Sequence, residues 1–365
     1  MLNGLPALLD SLESAWEARP LYQPGAIETD FFSTADLEAR LRFSPATPTD
    51  VVLNFFGKTV SPQSFRTGES AVNYDAVQRL HKGGATIIAN RLQNWVGPVQ
   101  QLIGTISNHL GVRANCNLYC TPPMSRGFDI HVDLHDVLVV QVAGSKEWYL
   151  YGEPYRLPNK RLAKFHKPGP GDKPREKIVM SPGDVLYLPR GEAHAAVNAS
   201  TSGQASVHLT IGLHPQTLHS LLIELVDLAA FEDIELRKTA PQELTPAELV
   251  GRLNKTVESL KGEVPTKKYS AGNTQANWPS LQISTGDLDK YRWADPGDTI
   301  VTAKKDRVRV SSPTRTIELL RELDSVLDRI ICGDVFEVAS LNHSHPKLLC
   351  HHLARNGFLI PISRS

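Results

Sequence analysis

From Asn117 to Leu213 the chain breaks into seven short β-prone runs with glycine and proline turns among them. They are Asn117–Cys120, Val137–Ala143, Lys146–Tyr151, Ile178–Met180, Val185–Pro189, Ala193–Val197 and Ser206–Leu213. Strands of even length separated by loop signals predict an antiparallel barrel or sandwich. The flanks have a different texture. Residues 1–110 read as mostly helical, with helices predicted at Asp36–Leu41, Tyr74–Leu80 and Val99–Leu110 and a strand at Val51–Phe56 ending at Gly57. After Pro215, the residues Leu218, Leu221, Leu222, Leu225, Val226, Leu228 and Ala229 recur at the spacing of one helix face. Thr245-Pro246-Ala247-Glu248 opens a second helix as a capping box with proline in the first turn. A leucine strip of this kind would be exposed in a monomer, so the segment is expected to form a dimer interface.

Residues 261–312 are loop-rich, with Ser270-Ala271-Gly272-Asn273 and Asp295-Pro296-Gly297-Asp298 as turns and short strands near Ile300–Val301 and Val308–Val310. The tail predicts a helix at Ile317–Ile331, a short element at Val335–Leu341, a helix at Leu348–Arg355 stopped by Asn356-Gly357, and a strand at Phe358–Ile362. That is the order of a winged helix. Charge argues against a nucleic-acid partner: 39 Lys and Arg balance 39 Asp and Glu, and residues 306–365 carry eight basic against seven acidic groups. Four cysteines are too few for a disulfide framework and suit a reducing compartment. No run approaches the ~18 apolar residues of a membrane span. The leucines of the first twelve residues lack a basic leader and read as an amphipathic helix, so a cytoplasmic location is expected.

The chemistry concentrates in two places. His131 and Asp133 stand two apart, which on a strand puts both on one face. His194 follows Ser181-Pro182-Gly183-Asp184 and Pro189-Arg190-Gly191, turns that would return a second imidazole to the first pair. Two histidines and one carboxylate on one side of an ion leave its other positions open, the arrangement of non-haem Fe(II) oxygenases. Lys146 opens the strand after Gly144-Ser145 and is expected to pair with the strand that follows His131 and Asp133. Buried there, it needs an anionic partner, and the far carboxylate of 2-oxoglutarate would supply one. Asn117 and Tyr119 alternate on the preceding strand and could add hydrogen bonds to that carboxylate. His208 reads as an outer neighbour of the metal. Cys116 and Cys120 lack a second pair and read as buried thiols. His343, His345, Cys350, His351 and His352 read as a polar face of the C-terminal module.

These motifs, in this order, resemble the JmjC-type ribosomal oxygenases, a cupin-like branch of the 2-oxoglutarate oxygenases. The resemblance rests on Asn117-x-Tyr119-x-Thr121-Pro122-Pro123, Gly127-Phe128 before His131-x-Asp133, Gly144-x-Lys146-x-Trp148, the run Pro182 to His194, and Ser206-x-His208-Leu209-Thr210. It implies an α+β fold: a double-stranded β-helix (jelly-roll, cupin-like) with N-terminal helical decoration, a helical dimerisation segment and a C-terminal winged helix. The corresponding units are 1–214, 215–262 and 263–365. It further implies Fe(II) held by His131, Asp133 and His194, and 2-oxoglutarate held by Lys146 with Asn117 and Tyr119. The implied reaction hydroxylates an Arg or His side chain of a ribosomal protein or of a biosynthetic peptide, releasing succinate and CO2. Three positions depart from the pattern that the resemblance implies: His135 stands where members vary, Gly212 stands where serine is common, and Gly203 lies in a slightly longer loop. The rival expectations are a winged-helix nucleic-acid-binding or sensory protein with an inactive barrel, and a metal cupin that does not use 2-oxoglutarate.

Overall fold

The computed structural model describes residues 3–43, 46–47, 49–67, 71–159, 171–201, 203–240, 243–259, 289–304, 306–312 and 315–362. Two antiparallel sheets form the barrel. The larger has eight strands in the order Leu21–Gln23, Val185–Leu188, Asp136–Ala143, Ser206–His214, Arg113–Thr121, Thr86–Ala89, Val51–Phe55 and Lys58–Thr59. The smaller runs Glu176–Met180, Lys146–Gly152, Ala193–Asn198 and Ser125–Arg126, with His131–Val132 also paired to Ala193–Asn198. The chain passes back and forth between the sheets, as a double-stranded β-helix requires.

The strand Asp136–Ala143 shows why the layers form. It is buried over seven of its eight residues, and its side chains alternate between two cores. Val137 and Val139 pack with Trp148, Leu150, Ile178 and Met180 of the smaller sheet. Leu138, Val140 and Val142 face the other way, into the core shared with helices Leu5–Ala15 and Gly97–Leu110. Burying each such side chain contributes about 1.5–3 kcal/mol. Covered on both faces, the strand reads as a near-continuous apolar run.

One pairing differs from expectation. Lys146–Gly152 does not pair with Asp136–Ala143; it lies in the other sheet, between Glu176–Met180 and Ala193–Asn198. Gly144 makes the crossing at φ +61°, against the Ala205 carbonyl oxygen, where a Cβ would sit only 2.4 Å away. Gln141 closes the gap by donating to the Ala143 carbonyl (2.8 Å) and to Ser206 Oγ (2.9 Å). A hairpin turn and a sheet-to-sheet crossing have the same Gly-Ser signature, so the local sequence does not separate them.

Beyond the barrel, Leu218–Glu232 and Pro246–Ser259 are helices. The expected capping box is present: Glu248 N donates to Thr245 Oγ1 (3.3 Å) while Thr245 N donates to Glu248 Oε2 (2.9 Å). In the tail the helix expected from Ile317 starts later. Arg315–Leu320 is a strand paired with Arg307–Ser312, and the helix runs Asp324–Ile330. Ile317 and Leu319 are buried while Thr316 is exposed, a period of two that outweighs the helical spacing further along. Helix Pro346–Arg355 and strand Leu359–Pro361 follow, and Ser270–Asn273 lies outside the described residues. Helix Thr34–Phe43 ties the two ends together, since Ala39 and Phe43 join the C-terminal core and Asp36 pairs with Arg355 (3.0 Å). No helix among the described residues is long and apolar enough to cross a membrane.

Candidate metal centre

His131 and His194 are direct cross-strand partners in the smaller sheet, which brings their ring centroids to 4.4 Å. Asp133 lies just past the end of the His131–Val132 strand. Ligand-capable atoms of His131, Asp133 and His194 all fall within 4.8 Å of one another, the one such group among the described residues. Each imidazole is held through its inner nitrogen. His131 Nδ1 bonds the Asp129 carbonyl at 2.8 Å and His194 Nδ1 bonds the Glu192 carbonyl at 2.9 Å. With Nδ1 carrying the proton, both Nε2 lone pairs are left for the shared point. Burial lowers the His194 pKa to about 4, with His131 adding to the effect, so the ring is neutral at pH 7 and ready to act as a ligand.

The backbone around Asp133 is fixed by a buried ion cluster that sequence reasoning missed. Asp136 is fully buried and accepts from Tyr187 Oη (2.9 Å), Arg190 N (3.2 Å) and the Arg190 guanidinium (2.6 Å). Arg190 also reaches Glu17 at 2.6 Å. Next to it, Gly191 N donates to the Asp133 carbonyl at 3.1 Å. The Pro189-Arg190-Gly191 turn is therefore a clamp on the Asp133 loop as well as a return for His194. Its partners lie some 50 and 170 residues away in sequence, and no spacing rule links them.

A cavity of about 450 Å³ opens beside the three residues. The inner faces of Arg113–Thr121 and Ser206–His214 line it in successive rungs, with Tyr119 opposite His208, Asn117 opposite Thr210 and Asn115 opposite Gly212. Lys146 closes one end. It is only 2 % exposed, donates to Thr121 Oγ1 at 2.7 Å, and has no carboxylate partner among the described residues. Desolvation by that burial lowers its pKa to about 7. Tyr119 stacks on His208 at 5.0 Å with the rings 2° from parallel, and His208 Nδ1 is buried with no hydrogen-bond partner. Asn117 lines the wall while its Oδ1 accepts from Arg91 N at 3.0 Å. Thr121 and Trp148 also line the cavity. Their motif positions were visible in the sequence, but their direction was not.

The histidines and cysteine of the C-terminal module form no second group of metal-ligating atoms among the described residues. His351 pairs with Asp36 at 3.2 Å, His352 is buried near Phe43, and His343 Nδ1 accepts from His345 N at 3.0 Å. Cys116, Cys120 and Cys350 are buried free thiols.

The sequence is similar to known proteins across this stretch. A family model described as a JmjC domain matches residues 96–221, the stretch that includes all three residues of the centre and Lys146. The Drosophila persimilis protein named bifunctional lysine-specific demethylase and histidyl-hydroxylase NO66 is 31% identical over 169 residues, 45% of this chain and 24% of that protein. Homo sapiens ribosomal oxygenase 1 is 29% identical over 226 residues, 58% of this chain and 34% of its own length. The chain thus spans about a quarter to a third of these curated relatives. The X-ray structure of E. coli ycfD aligns over 96% of this chain and 97% of that one, at 15% identity and a TM-score of 0.46. Residues 96–221 thus match the JmjC-domain family model, and the chain's sequence similarity runs to the ribosomal oxygenases.

Proposed function

We propose that the protein is an Fe(II)- and 2-oxoglutarate-dependent oxygenase that hydroxylates an amino-acid side chain, Arg or His, in a ribosomal protein or a biosynthetic peptide. One observation carries the reading: a two-histidine, one-carboxylate group and a buried lysine with no carboxylate partner among the described residues share a single cavity. The donor set fits ferrous iron, because imidazole and carboxylate hold a divalent ion while leaving positions open. The lone Lys146 fits the distal carboxylate of 2-oxoglutarate, since a buried cation calls for an anion.

In this reading His131, Asp133 and His194 hold the metal through Nε2, a carboxylate oxygen and Nε2. Thr121 fixes the Lys146 ammonium, and Tyr119 and Asn117 flank the co-substrate. Trp148 and His208 form an apolar and aromatic wall that keeps water from the buried end. Iron bound there would supply the oxidative decarboxylation of 2-oxoglutarate by dioxygen to succinate and CO2, one oxygen atom of the dioxygen ending in succinate and the other in the substrate alcohol. The rest is positioning. A metal cupin that does not use 2-oxoglutarate would leave Lys146 buried for no purpose, at a cost of several kcal/mol in desolvation.

The functional test is anaerobic iron titration followed by succinate release, comparing the wild type with His131→Ala and Asp133→Ala. Expected is one iron per chain and succinate from the wild type, with both lost in the variants. Equal iron uptake by the variants would overturn the assignment.

The same proposal assigns residues 1–214 to the catalytic unit, 215–262 to a dimerisation segment and 263–365 to a winged-helix-like module, in a cytoplasmic protein. Support for the dimer comes from Leu218 (80 % exposed), Leu222 (61 %) and Phe231 (76 %) on the first helix, with Leu249 and Val250 on the second. A monomeric mass in light scattering at micromolar concentration would contradict it.

A further inference from the structure

Lys146 is the one buried lysine among the described residues. Two further polar atoms of the same cavity are also unpaired. Trp148 Nε1 and His208 Nδ1 are buried and have no hydrogen-bond partner, and both side chains line the cavity with Lys146. Lys146 and Trp148 stand two apart on the strand Lys146–Gly152, so they share a face. The Trp148 and His208 rings meet edge to face with centroids 5.5 Å apart, and Tyr119 fixes the His208 plane by stacking on it. Lys146 is within electrostatic reach of His208: burial holds the His208 pKa well below its usual value, and the Lys146 charge adds to that. A lysine amine, an indole N–H and an imidazole nitrogen thus border one space. Buried polar atoms without a partner cost stability, and native interiors hold few of them.

We propose that Lys146 is a carbon dioxide acceptor, its Nζ forming a carbamate whose oxygens accept from Trp148 Nε1 and His208 Nδ1. The step balances without an oxidant. The Nζ lone pair bonds to the carbon of CO2, one C=O π pair moves onto oxygen, and a proton from Nζ leaves to solvent. The side chain must first be the neutral amine. Burial supplies it by lowering the Lys146 pKa to about 7, against an opposing influence from Cys120. Thr121 Oγ1, 2.7 Å from Nζ, holds the amine in place. The product is an anion, which suits the indole N–H and the Nδ1–H tautomer of His208. The cavity, about 450 Å³, has room for the added carbon and two oxygens. Carbon dioxide needs the amine and a carboxylate ligand needs the ammonium, so the two exclude each other. In the functional reading CO2 is released inside this cavity, where it would act as a brake on capture of the next 2-oxoglutarate. That brake rests on the functional reading; the carbamate does not, since no metal takes part in forming it.

The test is carbon-13 NMR of the full chain, made with nitrogen-15 lysine, in carbon-13 bicarbonate at about pH 8, a unit above the Lys146 pKa. Expected is a saturable carbamate carbon coupled to a lysine nitrogen. Trapping with triethyloxonium should place an ethyl carbamate on the peptide that contains Lys146, which localises the adduct in the wild type whether or not any variant folds. Lys146→Met should lose the signal. Trp148→Phe keeps an aromatic ring and removes the N–H, and is expected to weaken carbon dioxide uptake about tenfold. Excess 2-oxoglutarate should displace the carbamate. No adduct at Lys146, or an occupancy unmoved in Trp148→Phe, would overturn the proposal while calorimetric binding of 2-oxoglutarate kept the functional reading intact. Failure of 2-oxoglutarate to bind, with the carbamate present, would instead remove the functional reading and the brake and leave the carbon dioxide site standing.

Discussion

The two ends of the cavity differ in what they lack. At one end the buried Lys146 lacks a carboxylate partner among the described residues and donates to the Thr121 hydroxyl. At the other Gly212 lacks a side chain, and the His135 ring fills the space. The first absence is electrostatic: the buried charge costs the free protein stability, and it is relieved by loss of the proton or by an anionic ligand. The second is steric and is already relieved within the protein by packing. A missing charge marks where a ligand must come, and a missing side chain that a neighbour has replaced marks where the site's shape has been reset. The candidate metal group lies beside the cavity that joins the two.

Substitutions at the two ends are therefore expected to act differently. The largest effect is expected for Lys146→Met, which should weaken 2-oxoglutarate binding by about 2–5 kcal/mol, the range for losing one partner of a buried charge pair. Iron affinity should stay within a few fold. Isothermal calorimetry on the anaerobic metal complex reads both, and a loss of iron in place of co-substrate would place Lys146 in the wrong role. Next in size is a pH effect. Burial holds the Lys146 pKa near 7 in the free protein, against an ordinary 10.5, and a bound carboxylate favours the protonated form. Binding above pH 7 should then take up a proton, and affinity should fall by up to about tenfold per pH unit. Calorimetry in buffers of different ionisation enthalpy measures the uptake, which Lys146→Met should abolish. The sign for folding is the reverse. Between about pH 7 and 10.5 the unfolded chain binds the extra proton, so this group makes the free protein more stable as pH rises through that window.

At the far end, Gly212→Ser drives a side chain against His135 and is expected to cost about 1–3 kcal/mol of stability through overpacking. Its effect on 2-oxoglutarate affinity should be negligible. Urea unfolding monitored alongside calorimetry separates the two quantities. The smallest effect is expected midway. Tyr119→Phe retains the stack on His208 and removes one hydroxyl, for about 0.5–1.5 kcal/mol of co-substrate affinity. A larger loss would mean that the phenol, not the ring, positions the ligand.

What the sequence conveyed followed how local each feature is. His131, Asp133 and His194 were legible because the strand period of two and the flanking Pro-Gly turns are local signals. The capping box at Thr245–Glu248 was legible for the same reason. The sheet to which Lys146 belongs was not, because Gly144-Ser145 serves a hairpin and a crossing equally well. The Asp136–Arg190–Glu17–Tyr187 cluster was invisible, since its members meet only after the barrel closes around them. The His135–Gly212 exchange lay between these cases. Each position stood out alone, but only the register that sets Val137 opposite Gly212 shows that one fills the gap left by the other.

The account depends most directly on metal and keto acid meeting at one point. Ferrous iron added to the apoprotein under argon, followed by 2-oxoglutarate, should give one bound iron and a visible absorption band that appears only when both are present and is lost in Asp133→Ala. Stoichiometric keto-acid binding without iron, or iron binding whose spectrum the keto acid leaves unchanged, would contradict it.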